Sequence, residues 1–377
     1  MPPGPTILIC SGEMSGDIHA AHLIDKLKQR MPGARVLAFG GDNCREAGAE
    51  LLYHYHDYAV LGFSGVLANL PRFIRLERSL KARLRDGIDL FIPVDYPGLN
   101  LRLAGYARGR GVPVLYYISP QVWAWGAGRL DKLARSVDMM AVILPFEEEL
   151  YHRRGIPVEF VGHPFLVDHE FPDPLPAGER DGVGLLPGSR VQEVQRILPL
   201  LLETARRVGD AQAGIRFTIA RSHAVPEALY RSILHSAGGG IDVSVVDNAV
   251  AVMRRSRLLL VASGTATLQG ALMETPLVIV YKVSAVNYLV AKRLVKIPNI
   301  GLVNVVLGDA VCPEFVQGAA KPQRIAPVAL ELLAEGEARA NMLGRFQELR
   351  RTLSGGGGCS RVAEIAQELL GDEWTSK

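Results

Sequence analysis

The chain has 377 residues, of which 48% are hydrophobic and 21% are charged, and its formal net charge is +3 at pH 7. This length predicts two globular domains, and so small a net charge gives no reason to expect a nucleic-acid partner. Because the four cysteines form no CxxC pair, the first residues lack a signal-peptide pattern and no run of 18 apolar residues occurs, we expect no zinc site, no disulfide framework and no membrane span.

Short apolar runs alternate with helix-length segments along the chain. In the first half the predicted strands are 6–10, 35–39, 90–94, 114–118, 139–143 and 159–161, with helices such as 18–30 and 71–85 between them. In the second half the predicted strands are 182–186, 216–219, 242–245, 258–262 and 277–281. This alternation is typical of right-handed βαβ units and parallel sheets.

Two segments divide the chain into domains. The sequence FPDPLPAGERDG at 171–182 is rich in proline, glycine and charge, which predicts a linker. We therefore predict an α/β fold of two doubly wound, Rossmann-like domains, residues 1–170 and 183–353, that face each other across a cleft. A glycine run opens segment 354–377, which we predict to be a hinge followed by an amphipathic helix. The sequence does not decide which domain that helix packs on.

The loop after the first predicted strand, SGEMSGD at 11–17, carries two carboxylates and no lysine or arginine. This composition does not suit a phosphate. The loop follows the carboxyl end of a strand in a parallel sheet, which is the edge where ligands bind. We therefore predict that Glu13, Ser15, Gly16 and Asp17 bind hydroxyl groups of a sugar acceptor.

Asp95 follows the predicted strand 90–94 directly, before a Tyr-Pro-Gly turn. A carboxylate at the carboxyl end of a parallel strand can act as a general base towards a ligand at that edge. An Asx turn or a helix cap is the alternative, because either explains most single aspartates at strand ends.

Two tryptophans, Trp123 and Trp125, follow the predicted strand 114–118. Core packing is the better interpretation for one of them, and the other is a candidate to contact the acceptor. Arg129, a few residues further on, could meet an acceptor phosphate.

The segment 70–85 is strongly amphipathic, with six arginines and lysines among its apolar residues. An ordinary helix that covers the sheet with a solvated basic face is one interpretation. A surface helix attracted to anionic lipid is the other. A second basic and apolar stretch at 286–297 favours a peripheral role on a membrane. We therefore expect a cytoplasmic protein that binds to a membrane surface.

The segment GVGLLPGSRVQE at 182–193 predicts a strand, a Pro-Gly turn and a helix that opens at Ser189, with Gln192 completing a capping box. Arg190 would lie in the first turn, where a cation opposes the helix dipole unless an anion is present. Gly188, Ser189 and Arg190 therefore predict a phosphate site. A well-capped helix without a ligand is the alternative.

The segment after the predicted strand 258–262 repeats this pattern with small and hydroxyl-bearing residues before a helix. These residues are Ser263, Gly264, Thr265, Ala266 and Thr267. Small residues let the backbone approach a phosphate closely. Neither GxGxxG nor GxxxxGK[ST] nor DxD occurs, which disfavours a dinucleotide-dependent dehydrogenase, a P-loop and a metal-dependent donor site. We predict a nucleoside diphosphate neutralised by Arg190, two helix ends and Lys282, with no cofactor.

Nine motifs, in order over nearly the whole chain, resemble the lipid-A-disaccharide synthase family. They are SGEMSGD (11–17), LGFSGVL (61–67), VDYPGLN (94–100), YYISPQVWAW (116–125), LPFEEELY (144–151), FVGHP (160–164), LLPGSRVQE (185–193), ASGTATLQ (262–269) and AKRLVK (291–296). The resemblance implies a GT-B-like fold and an inverting hexosyltransferase of lipid A and lipopolysaccharide biosynthesis. It would join UDP-2,3-diacylglucosamine to 2,3-diacylglucosamine 1-phosphate through a β-1,6 bond and release UDP.

The same resemblance implies roles for individual residues. It places the family's acidic residue at a strand end on Asp95, where it would act as the catalytic base, and it places Arg190, Gln269 and Asn304 on the donor side. The implied partners are a UDP-sugar donor, an acylated sugar-phosphate acceptor and the anionic cytoplasmic face of the inner membrane. The sequence leaves open whether the chain forms a homodimer.

The chain departs from the family pattern at six positions. An acid is usual at Gly65 and Gly98, a basic residue at Gly126, Glu at Gln269, Pro at Val303 and Arg at Asp309. An amide at Gln269 offers one acceptor oxygen where a carboxylate can accept from both ribose hydroxyls, which would cost about 1–3 kcal/mol. The alternatives are therefore a divergent paralogue that uses another nucleotide sugar or glycolipid, or a non-catalytic, membrane-associated binding protein.

Overall fold

The computed structural model describes residues 4–58, 62–123, 128–168, 171–238, 241–284, 288 and 299–371, with 62–69 and 129 described by their backbone alone. These residues form two compact units. Unit 1 takes in the described residues up to 168 and those from 352 onward, and unit 2 runs from 171 to 351. Each unit is built on one parallel sheet with helices packed on it.

Unit 1 contains a seven-stranded sheet. Its strands are β1 (Thr6–Ser11), β2 (Arg35–Gly40), β3 (Glu50–His54), β4 (Leu90–Val94), β5 (Leu115–Tyr117), β6 (Met139–Val142) and β7 (Val158–Phe160). They lie in the order β3-β2-β1-β4-β5-β6-β7, all parallel. The chain order reverses between β1 and β4, so ligands are expected outside the carboxyl ends of these two strands.

The helices of unit 1 bury apolar stripes against this sheet. They are α1 (Met14–Arg30), α2 (Asp42–Glu46), α3 (Gly62–Arg85), α4 (Pro97–Arg108), α5 (Arg129–Ala134), α6 (Phe146–His152) and α7 (Pro164–Val167). In α3 the residues Leu76, Leu80 and Leu84 are at most 1% exposed. Their spacing of four places them on one face of the helix, with the arginines on the others.

Unit 2 repeats the architecture with six parallel strands. They are β8 (Val183–Leu186), β9 (Phe217–Ala220), β10 (Val243–Val246), β11 (Leu258–Ala262), β12 (Leu277–Tyr281) and β13 (Glu314–Val316). Their order is β10-β9-β8-β11-β12-β13, so the reversal lies between β8 and β11. The helices are α8 (Val191–Ala211), α9 (Glu227–Ala237), α10 (Ala249–Arg255), α11 (Thr265–Leu272), α12 (Leu302–Leu307), α13 (Pro322–Leu333) and α14 (Glu337–Leu353).

The last helix, α15 (Gly358–Leu370), packs on α1 in unit 1. The amide of Cys359 donates to Asp168 Oδ1 at 2.7 Å, so the Asp168 carboxylate caps the N-terminus of α15. Gly358 has φ +58°, and a Cβ there would overlap the Asp168 carboxylate, so this position requires glycine. The glycine run thus allows a close approach between two backbone segments.

The segment 171–182, predicted as a linker, packs on unit 2. Arg180 is 8% exposed and its guanidinium donates to the carbonyl oxygens of Leu175, Met273 and Glu274. Among the described residues, no helix is both long enough and apolar enough to cross a bilayer.

The predicted strands are all present, to within one or two residues at their ends. Four elements differ from the prediction, one of them α3, which begins at Gly62 and not at residue 71. Helix α1 begins at Met14 and not at residue 18, so most of the predicted loop 11–17 is helical. The strands β3 and β13 were not predicted, because both are half-exposed edge strands without a continuous apolar run.

Candidate active site

Asp95 lies at the carboxyl end of β4, next to the reversal point of the sheet in unit 1. Its backbone has φ +44° and that of Tyr96 has φ +49°, both left-handed and unusual for residues other than glycine. The Asp95 carbonyl accepts hydrogen bonds from Asn100 Nδ2 at 2.7 Å and from the Tyr116 hydroxyl at 2.8 Å. The surrounding structure therefore holds this strained corner in place, which is common at functional sites.

The Asp95 carboxyl group has the proton affinity of a general base that works near neutral pH. Burial raises its pKa to about 6, and the negative charge of Glu13 adds to the effect. A base is most effective when its pKa lies near the working pH. The geometry and the raised pKa together fit the catalytic role predicted for Asp95.

Glu13 is the exposed N-cap residue of α1, and its side chain makes no capping hydrogen bond to the helix. Gly12, just before it, lies against the Tyr96 ring, where a Cβ would overlap the aromatic carbons. Ser15 is exposed in the first turn of α1, and Gly16 is buried near Ser11. Glu13 and Ser15 are therefore accessible at the start of α1, and the charge of Glu13 acts on Asp95.

Asp17 does not present its carboxylate to a ligand. It is fully buried, and its oxygens accept from the amides of Gly41 (2.5 Å), Asn43 (3.1 Å) and Cys44 (3.4 Å). These amides belong to the start of α2, whose helix dipole favours an anion there. The predicted contact of Asp17 with the acceptor is therefore corrected to a structural role.

Trp123 packs inside unit 1 against Phe146 and Glu147. Its Nε1 donates to Glu147 Oε1 at 3.2 Å, and its ring meets Phe146 edge-on with centroids 5.4 Å apart. The predictions for Trp125 and for the Arg129 side chain lie outside the described residues.

Glu147 was not predicted, although it lies on the same sheet edge as Asp95. It is 2% exposed, and burial raises its pKa to about 7. A carboxylate shortly after the predicted strand 139–143 was the available signal. The three consecutive glutamates, Glu147 to Glu149, hid it because such a run usually belongs to a solvated helix face.

In unit 2 the turn at Gly188 and the start of α8 lie at the reversal between β8 and β11. Gly188 has φ +107°, and a Cβ there would overlap Glu193 Oε2. The helix begins at Val191, with Arg190 as its N-cap residue, and the Arg190 amide donates to the Glu193 side chain. The predicted capping box of Ser189 and Gln192 is therefore wrong by one residue.

Glu193 supplies an anion at this helix end. Its Oε2 accepts from the amides of Ser189 (3.0 Å) and Arg190 (3.2 Å). Its Oε1 accepts from Arg190 Nη1 at 2.8 Å, while the Arg190 side chain stays 80% exposed. The sequence predicted an anion beside Arg190, and the carboxylate of Glu193 supplies that anion from within the chain.

The small-residue segment enters α11 at Thr265. Gly264 is the N-cap residue and has no side chain that could cap this helix, and Thr265, the first residue of the helix, is exposed. Ser263 and Thr267 instead donate to backbone carbonyl groups, Ser263 to that of Ile300 at 2.7 Å and Thr267 to that of Gly264 at 2.8 Å. Two hydroxyls predicted to bind phosphate are therefore engaged internally.

Three other donor-side predictions have mixed outcomes. Gln269 and Lys282 are half-buried, and Lys282 forms no ion pair with any described residue. Asn304 is fully buried, its Nδ2 donating to the Cys312 carbonyl and to Glu314 Oε1, both at 2.8 Å. Its predicted contact with the donor is corrected to a structural role.

The departures from the family pattern fall in different surroundings. Gly98 is exposed with open space where a side chain would start, so an acid would fit there. Val303 is buried and Asp309 is exposed. Gly65 lies in the part of α3 that is described by its backbone, and Gly126 lies outside the described residues.

Solved structures share this architecture. The glycotransferase of kitacinnamycin is 18% identical with a TM-score of 0.63, covering 98% of this chain and 100% of its own. The UDP-GlcNAc 2-epimerase from Neisseria meningitidis, solved with UDP-GlcNAc bound, is 11% identical with a TM-score of 0.61, covering 97% of this chain and 99% of its own. Two doubly wound parallel sheets of this kind define the GT-B-like class, which confirms the predicted fold.

The family follows from the sequence comparisons. Residues 7–368 match the model of the family described as lipid-A-disaccharide synthetase. A lipid-A-disaccharide synthase from Nitrosococcus oceani is 39% identical over 381 residues, which cover 98% of this chain and 97% of that protein. The chain belongs to the lipid-A-disaccharide synthase family, and the predicted resemblance is confirmed.

Proposed function

We propose that this chain is a lipid-A-disaccharide synthase. It transfers 2,3-diacylglucosamine from its UDP derivative to the 6-hydroxyl group of 2,3-diacylglucosamine 1-phosphate, and it releases UDP. Family membership over nearly the whole chain supports this reaction. The observation that carries it is Asp95, a carboxyl group with a pKa of about 6 at the reversal point of a parallel sheet.

Asp95 takes the proton of the acceptor hydroxyl as the oxygen attacks the anomeric carbon of the donor. The new carbon–oxygen bond forms on the face opposite UDP, so the configuration inverts. The bond between the anomeric carbon and the phosphate oxygen breaks, and UDP leaves with the electron pair. Glu13 and Ser15, exposed at the start of α1, bind acceptor hydroxyl groups and orient the attacking one.

The diphosphate of the donor binds at the carboxyl edge of the sheet in unit 2. The amides at the start of α11 donate hydrogen bonds to it, and so do the amides of Ser189 and Arg190 when the diphosphate displaces Glu193 from them. Arg190 and Lys282 offset the negative charge that grows on UDP as it leaves. These groups supply the electrostatic stabilisation, so the proposal includes no metal ion.

Both substrates carry acyl chains, so the enzyme docks on a membrane. Helix α3 exposes Leu70 and Ile74, at 48% and 41%, next to Arg72 and Arg75. Apolar side chains among basic ones suit the anionic cytoplasmic face of the inner membrane. We place the protein there as a peripheral enzyme.

The test is an assay with both purified substrates and the Asp95→Asn variant. General base catalysis contributes about 10²- to 10⁴-fold, so the variant should lose that factor in kcat while binding UDP normally. Asp86→Asn is the matched control, because Asp86 is an exposed residue paired with Arg85. Folded wild-type protein that binds UDP but forms no disaccharide would favour a divergent paralogue and reject the proposal.

A further inference from the structure

Glu147 is a buried carboxyl group that the reaction above leaves without a role. Its Oε1 accepts from Ser119 Oγ at 2.5 Å and from Trp123 Nε1 at 3.2 Å, and its Oε2 accepts from the Leu144 amide at 3.3 Å. No described residue forms an ion pair with it. Ionising a carboxyl group that is buried in this way costs free energy, so the presence of Glu147 at this position calls for an explanation.

A short path of contacts connects Glu147 to Asp95. The Asp95 amide donates to the carbonyl of Ile118 at 3.2 Å, and the next residue is Ser119, which donates to Glu147. Ile118 itself is left-handed, with φ +60°, and its amide donates to the Ala141 carbonyl at 3.0 Å. The path crosses the carboxyl ends of β4, β5 and β6, and it includes two strained residues.

The charges of the two carboxyl groups interact. Burial raises the pKa of Glu147 to about 7, and the charge of Asp95 contributes to this rise. Since the pKa of Asp95 is about 6, Asp95 ionises first and Glu147 then ionises against its charge. Glu13 faces Asp95 from the start of α1 and raises its pKa as well.

Among the described residues, the other titratable groups that interact with the pair are phenols. Tyr96 adjoins Asp95, and Tyr151 faces Glu147 from the same helix. Burial raises the pKa of both, so both stay neutral between pH 5 and 9. Arg102 acts on Tyr96 by lowering the pKa of that phenol.

We propose that Glu147 is a positioning residue for Asp95, which holds the segment 118–123 in place and, once ionised, makes Asp95 a stronger base. The proposal rests on the proposed role of Asp95. A negative charge nearby raises the proton affinity of a carboxylate, and a stronger base accepts the proton of the acceptor more readily. The value of kcat/KM should therefore rise in two steps as the pH increases.

The first test compares the pH dependence of kcat/KM, from pH 5 to 9, in the wild type, Glu147→Gln and Glu149→Gln. We expect rises near pH 6 and pH 7 in the wild type and in the control, because Glu149 is exposed and paired with Arg153. Glu147→Gln should keep only the lower rise, with kcat/KM at pH 8 several-fold below the wild type. A profile with both rises, or a uniform loss at every pH, would overturn the proposal.

The second test needs no turnover and uses Trp123 as the probe. With Trp125 and Trp374 replaced by phenylalanine, the emission of Trp123 should titrate near pH 7, since its indole donates to Glu147. Glu147→Gln should abolish this transition, and Asp95→Asn should move it to lower pH. A midpoint that Asp95→Asn leaves unchanged would refute the coupling, whatever the activity of that variant.

A third variant guards against failure of Glu147→Gln to fold. Ser119→Ala removes a hydrogen bond that lowers the pKa of Glu147, so the fluorescence midpoint should move to higher pH. An unchanged or lower midpoint in folded Ser119→Ala would contradict the proposal.

Discussion

Arg190 and Glu193 form an ion pair at 2.8 Å across the first turn of α8, and the same carboxylate accepts from two backbone amides there. A helix N-terminus is a natural anion site, and here a side chain of the chain occupies it. A diphosphate that binds at this end must compete with Glu193 for the amides and for Arg190. In the proposed donor site, this ion pair therefore opposes the binding of the diphosphate.

Glu193→Gln should tighten the binding of UDP about fivefold. The substitution removes a negative charge that competes with the diphosphate, and one such contact at a helix end corresponds to about 1 kcal/mol. Isothermal titration with UDP measures the change. Glu203→Gln, on the same helix and paired with Arg206 and Arg207, is the control that should bind UDP as the wild type does. Weaker binding by Glu193→Gln would mean that this carboxylate supports the site.

Arg190→Gln should weaken the binding of UDP about 10- to 100-fold. A charge-assisted hydrogen bond to a phosphate contributes about 1.5–3 kcal/mol, and glutamine cannot replace the charge. Arg196→Gln removes an exposed charge from the same helix and controls for the general electrostatic effect. Equal losses in the two variants would show that Arg190 attracts the donor only through the net charge.

Glu147→Gln should change how stability depends on pH. In the folded protein the pKa of Glu147 is raised from 4.5 to about 7, so the contribution of this group to stability is fully present below pH 4.5 and is lost as the pH rises through 7. The loss relative to the variant should be on the order of 2–3 kcal/mol between pH 5 and pH 8. Thermal unfolding at both pH values measures it, with Glu149→Gln as the control. Parallel pH dependence of wild type and Glu147→Gln would contradict the expectation.

The central strands could be predicted because parallel strands buried on both faces are continuous apolar runs, as in LFIPV of β4. The edge strands ELLYH and EFV lack that signal, since solvent covers part of each. The start of α1 was missed for a different reason. Its first turn, Met-Ser-Gly-Asp, has the composition of a loop, and the burial of Gly16 and Asp17 in the folded chain is not visible in that composition.

The residues of the candidate site could also be predicted only where their position follows from the local sequence. The positions of Asp95 and Arg190 after strand ends were visible in the sequence, because strand ends of a parallel sheet meet at one edge. The internal roles of Asp17 and Asn304 were not visible, since they depend on amides of residues 24–27 positions away and on Cys312 and Glu314. A polar residue in a motif therefore predicts importance more reliably than it predicts contact with a ligand.

Asp17→Asn should destabilise the protein and leave acceptor binding intact. The amide group would present N–H donors to backbone N–H donors at the start of α2, which leaves buried polar groups unsatisfied at a cost of about 1–3 kcal/mol. Thermal unfolding measures the loss, and the KM of the acceptor in the folded variant should stay unchanged. Asp25→Asn, an exposed position on the same helix, is the control. Normal stability with a raised acceptor KM would restore the predicted contact.

Ile74→Asp should weaken binding to membranes that contain anionic lipid. Ile74 is 41% exposed on α3 beside Arg75, and Arg72 stacks over the Tyr58 ring and approaches Asp57 at 3.9 Å. Burying such a side chain in a lipid interface contributes about 1 kcal/mol or more, and a carboxylate would also be repelled by anionic headgroups.

Sedimentation with vesicles of phosphatidylglycerol and phosphatidylethanolamine should therefore retain at least fivefold less Ile74→Asp than wild type. Vesicles of pure phosphatidylcholine should retain little of either protein, because the basic residues of α3 then find no anionic partner. Val245→Asp is the matched control, since Val245 is equally exposed, at 41%, in unit 2. Equal loss in the two variants, or none in either, would exclude α3 as the surface that docks on the membrane.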